Sequence, residues 1–138
     1  MAANINPIYS KLGDIQWPAT LIATANTAKD GTGTVHTVFT ADATNGGRLE
    51  KVRACPTGTA TASVLRLFIN NGSTNATPAN NILVAEVSLP AITLSEVAAQ
   101  SAVEVLCEFA LPAGYKINAT IGTTVAAGWA LSAIGGKY

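Results

Sequence analysis

From Val103 to Leu111 apolar and polar side chains take turns. Val103, Val105, Cys107, Phe109 and Leu111 fall on one side, with Glu104 and Glu108 on the other. An extended strand points successive side chains to opposite faces, so a two-residue period makes one wall of a core. The same period returns in Ser63, Leu65, Leu67 and Ile69, and in Leu83, Ala85, Val87 and Leu89. It appears again in Tyr115, Ile117, Ala119 and Ile121, set against Lys116, Asn118 and Thr120. A chain patterned this way must stack sheets face to face or close one into a barrel.

The turns agree. Lys29-Asp30-Gly31, Asn45-Gly46, Pro56-Thr57-Gly58, Asn70-Asn71-Gly72 and Pro112-Ala113-Gly114 separate the alternating stretches with residues that reverse a chain. The predicted strands are Thr20–Ala28, Gly33–Asp42, Gly47–Cys55, Ala62–Asn70, Asn81–Leu89, Ser101–Leu111, Tyr115–Thr123 and Gly128–Ile134. About eight short strands at this spacing predict an all-β sandwich or barrel rather than alternating α and β. Glu50-Lys51 breaks the alternation between Leu49 and Val52, where a bulge is expected. Ser95 heads a stretch, Glu96–Ala99, that could hold one helical turn.

Residues 1–18 follow neither period. They carry Ile5, Pro7, Ile8, Tyr9, Leu12, Ile15 and Trp17 as scattered apolar anchors, which predicts an extended arm ahead of a single domain at 19–138. The arm either folds back on its own domain or docks on a neighbouring subunit, since large apolar side chains left in water mark contact sites. Those seven residues are the candidate partner-binding set.

Charge is scarce. Charged residues make up 12 % of the 138 positions, about half the share of roughly 25 % in ordinary domains. A folded chain of 14.0 kDa exposes about 6,700 Å², and a standard interface takes about 800 Å² from each partner. Two such contacts would cover roughly a quarter of the surface and relax the demand for charge. Formal net charge is zero, and Arg48, Lys51, Arg53 and Arg66 are interrupted by Glu50 and apolar residues. No basic stripe is present to neutralise phosphates, so no nucleic-acid partner is expected.

The first nine residues lack the basic and apolar regions of a signal peptide. The charge-free run from Ile117 to Gly136 is broken by Asn118, Thr120, Gly122 and Gly128, which argues against a membrane helix. Folding in a cytosol is expected, with Cys55 and Cys107 as reduced, buried thiols.

The chemistry of catalysis is thin, and no enzyme activity, metal or cofactor is expected. Glu104 and Glu108 form the best acid–base pair, but four residues of strand span about 13 Å. Glycosidases need their carboxyls at most about 9.5 Å apart. His36 with Asp42 and a serine lacks the Gly-x-Ser-x-Gly elbow that presents a nucleophile. Sugar binding is the rival function, yet Phe109, Tyr115 and Trp129 fall on core faces. Phe68 alone stands opposite its strand's core face, as an outward anchor or part of a second buried surface.

Two stretches carry a resemblance. Gly47-Arg48-Leu49-Glu50-Lys51-Val52 through Val64-Leu65-Arg66-Leu67-Phe68-Ile69-Asn70-Asn71-Gly72 is one. Leu111-Pro112-Ala113-Gly114-Tyr115-Lys116, with Gly128-Trp129 and the ending Gly135-Gly136-Lys137-Tyr138, is the other. Over roughly two thirds of its length, from about Arg48 to Tyr138, the chain resembles the jelly-roll capsid cement (decoration) proteins of tailed bacteriophages. Their motifs are strand-and-turn motifs, more specific for fold than for role. The resemblance implies an eight-stranded jelly-roll β-sandwich with an extended N-terminal arm. It also implies a structural virion protein, made in the host bacterial cytoplasm and bound to the outer surface of the head. There it would cement adjacent major capsid protein subunits, as a homodimer, with trimers the alternative. Related jelly rolls occur in tail and fibre parts, so a module binding carbohydrate or a host receptor is the second expectation.

Overall fold

The computed structural model describes residues 10–138. Its strands, in chain order, are β1 (Leu12–Gln16), β2 (His36–Thr40), β3 (Gly47–Pro56), β4 (Ser63–Asn70), β5 (Asn81–Leu89), β6 (Val103–Leu111), β7 (Lys116–Ile121) and β8 (Trp129–Lys137). They form two four-stranded sheets, ordered β1-β8-β3-β6 and β2-β7-β4-β5, with every ladder antiparallel. The inward faces meet in one core that includes Phe39, Leu49, Val52, Leu65, Leu67, Ile117, Ile121 and Trp129. The alternation in β4, β6, β7 and β8 thus builds the core walls expected of it.

Among the described residues eight strands are present, but one is not where the alternation placed it. Thr20–Ala28 forms no strand. Ile22 exchanges backbone hydrogen bonds with Trp129 of the first sheet, and the Asn26 N–H donates to the carbonyl of Ile121 in the second. The segment crosses one end of the sandwich and can bond to each sheet only briefly. The Asn26 carboxamide then donates to the carbonyls of Thr32 and Thr34, holding the following turn in place of a strand partner. The eighth strand comes instead from the predicted arm. Leu12–Gln16 lies antiparallel to β8, with Leu12 opposite Lys137 and Gln16 opposite Ala133.

Three register irregularities adjust the walls among the described residues, one of them in β2 between Thr37 and Phe39 against β7. In β3 the register shifts between Leu49 and Lys51 against both neighbours, at the predicted position. Gly135 faces this kink so closely that a Cβ would collide with the Arg48 carbonyl, so only glycine fits. On β6 the matching irregularity holds Glu108 at φ 52, a left-handed conformation. The third irregularity lies between β4 and β5, where Leu67 pairs with Ala85 but Phe68 with Leu83. Val84 therefore turns into the core with Ala85 and Val87, and Leu83 leaves the inner face expected of it.

Phe68 is wholly buried yet stands outside the central core cluster. With Arg66, Asn118 and Thr120 it makes a second buried layer on the back of the second sheet, which settles the alternatives left open for it. Ser95 heads a turn in which its hydroxyl accepts from the N–H groups of Val97 and Ala98, but no helix follows. Both cysteines are free and half-buried rather than fully buried.

Candidate interaction surface

The back of the first sheet differs from that of the second. Ile15 on β1 stands opposite Ile134 on β8, Ile134 opposite Lys51 on β3, and Lys51 opposite Leu106 on β6. One row thus crosses all four strands, with an exposed apolar side chain at each end; Leu106 is 77 % exposed. Just past β1, Trp17 is 69 % exposed. It borders a shallow pocket of about 330 Å³, with Thr20 and Leu21 beside it and Ala130 and Ser132 across it. Leu21 is itself exposed.

Three of the charges on this face form one cluster. Lys51 Nζ lies 3.1 Å from Glu104 Oε1, and Arg53 Nε lies 3.8 Å from the same oxygen. Exposed pairs of this kind add little stability. Contact here would rest on apolar burial at about 25 cal/mol per Å².

Of the seven anchors, Ile5, Pro7, Ile8 and Tyr9 lie outside the described residues. Leu12, Ile15 and Trp17 are all exposed. Alternation along β1 puts Ile15 on one face with Trp17 and Leu12 on the other, so the structure joins only two of the three. Leu106, Leu21 and Ile134 were missed by sequence reasoning. Leu106 had a legible signal, as the one large apolar residue in the register of Glu104 and Glu108.

The residues considered for catalysis have other occupations. Asp42 Oδ1 accepts the N–H groups of Thr44 and Asn45, which with nearby Lys137 holds the carboxyl below its ordinary range. His36 is opposite Ala119 across the ladder, its Nδ1 3.5 Å from the Thr20 hydroxyl. Burial lowers its pKa. Glu104 is committed to Lys51 and Arg53. Among the described residues no group of three or more His, Cys, Asp or Glu side chains could hold a metal ion.

Comparison of the chain with family models, curated proteins and solved structures finds no match.

Proposed function

We propose that this chain is a structural virion protein that binds the outer surface of a phage head and cements adjacent major capsid protein subunits. The observation that carries the reading is the back of the first sheet, where Ile15 and Leu106, on strands held from behind by the core, and Trp17 just past β1 are presented to solvent. An exposed apolar row on a rigid sheet suits burial against a protein partner. The strand orders β1-β8-β3-β6 and β2-β7-β4-β5 support the jelly-roll reading, because each sheet takes alternate strands of the chain from both ends inward. Assembly as a homodimer would let several weak contacts add through avidity.

A second reading, a tail or fibre module that binds carbohydrate, draws on the exposed Trp17 ring beside its pocket. Among the described residues that pocket is lined by side-chain hydroxyls from Thr20 and Ser132 and by no carboxylate or carboxamide. Two hydroxyls beside one ring are few groups to fix a sugar's orientation, so the cement reading is favoured.

The test is cosedimentation of the purified protein with heads assembled from capsid protein. Stoichiometric binding is expected for the native chain. Trp17→Glu and Leu106→Glu, each on a side chain already in water, should keep a β circular-dichroism spectrum and lose most of the bound protein. Binding unchanged in both variants would reject this face. A chain that ignores heads and binds glycan would establish the rival.

A further inference from the structure

Asn-Gly occurs twice in this chain, at Asn45-Gly46 and Asn71-Gly72, in the connections that follow β2 and β4. Both asparagines are exposed. This dipeptide is chemically self-reactive. The backbone nitrogen of the glycine, once a base removes its proton, can attack Cγ of the preceding carboxamide. The N–Cγ bond forms, the Cγ–Nδ2 bond breaks, and the side-chain nitrogen leaves as ammonia with a proton from solvent. Water then opens the cyclic imide at either carbonyl, giving aspartate or its β-linked isomer. Hydroxide is the base and water the only co-reactant. Glycine favours the step because it has no side chain to block the approach.

The fold treats the two sites differently. At Asn71 the carboxamide is held at both ends: Nδ2 donates to Asn80 Oδ1 at 3.1 Å, and Oδ1 accepts the Ser73 N–H at 3.1 Å. The attacking nitrogen is tied as well, since the Gly72 N–H donates to Asn70 Oδ1 at 2.9 Å. A further bond joins the Asn71 N–H to the Asn80 carbonyl at 3.0 Å. Attack needs Cγ to swing over the glycine nitrogen, so these bonds must break together. At Asn45 the carboxamide has no hydrogen-bond partner among the described residues, and the Asn45 N–H is held by Asp42 Oδ1 at 2.9 Å. The one bond on its attacking nitrogen is from the Gly46 N–H to the Asp42 carbonyl at 3.0 Å.

We propose that Asn45 is a site of spontaneous deamidation and that Asn71, with the same dipeptide, is protected by its hydrogen bonds. The product matters in so sparsely charged a chain. A carboxylate at position 45 takes the formal net charge from zero to minus one, beside Asp42. The β-linked isomer also lengthens the backbone next to Gly46, which sits at φ 78 with the Leu111 carbonyl 2.5 Å from where a Cβ would stand. That turn has no slack for an inserted methylene, so the isomer should loosen the lead into β3.

The experiment ages the intact protein at mildly alkaline pH, then maps peptides by mass spectrometry, reading the gain of roughly one mass unit that replacing an amide by a carboxylate produces. Asn45 is expected to convert at least about tenfold faster than Asn71, the ratio that two additional net hydrogen bonds can supply. In concentrated urea the two rates should converge. Asn80→Ala, which removes one holder of the Asn71 carboxamide, should speed conversion at Asn71 and leave Asn45 unchanged. Equal rates in the folded protein, or a ratio that persists in urea, would overturn the assignment.

Discussion

Glu108 shows what a single backbone angle can cost. An L-residue in the left-handed region brings Cβ against the following carbonyl, at about 1–2 kcal/mol, and Glu108 occupies it at the β6 irregularity. Glycine removes that clash but adds freedom to the unfolded chain, which offsets part of the gain. Glu108→Gly should therefore raise the unfolding free energy by about 0.5–1 kcal/mol, as measured by denaturant titration at neutral pH. A loss of stability would mean that the side chain contributes more than its conformation costs. His36 gives a second effect at this scale. Burial holds its pKa below the ordinary 6.5, so between the two values the unfolded chain binds the proton and the folded chain does not. Stability then rises with pH across that window and falls as the solution is acidified below about 6.5. His36→Gln should flatten this limb of a melting-temperature profile. The acid limb set by Asp30 and Asp42 should survive in that variant. The Thr32 hydroxyl and N–H hold Asp30 below 3.8, and the N–H groups of Asn45 and Thr44 hold Asp42 there, so their stabilisation is lost as pH falls below 3.8 through that lower range.

β1 and β2 belong to different sheets, yet one side chain joins them. The Gln16 carboxamide donates from Nε2 to the Thr40 carbonyl at 2.9 Å and accepts the Thr40 N–H at Oε1 at 2.8 Å. It acts as a one-residue strand that occupies the edge of β2, a common point of unwanted pairing. Gln16→Ala strips both partners from Thr40 at once. A loss of about 1–3 kcal/mol and faster hydrogen exchange at the Thr40 amide are expected; unchanged exchange there would mean water replaces the carboxamide without penalty. Such a link cannot be read from periodicity, because glutamine at an alternating position looks like any solvent-facing residue. The bounds of β5 were legible, predicted and observed alike at Asn81–Leu89. Thr20–Ala28 misled because threonine and isoleucine favour strands even where only single bridges form. Leu83 was misplaced because a bulge inverts facing without marking the sequence.

At the scale of the molecule the two sheets divide the work. The second buries its own back around Phe68, whereas the first leaves Ile15, Trp17 and Leu106 in water. Part of that asymmetry was legible: Ile15 and Trp17 were singled out as large apolar residues of the arm, and both are exposed. The union of Ile15 with Ile134 was not, because it depends on β1 lying against β8 across more than a hundred residues of chain. The same pairing has a mechanical consequence. Leu12 and Lys137 are direct neighbours, so tension applied through the two ends of the described chain would load the β1–β8 bonds one after another, as a zipper opens. Force transmitted through the sheet faces would instead have to slide whole ladders at once, so this sandwich should tolerate compression and lateral shear far better than traction on its ends.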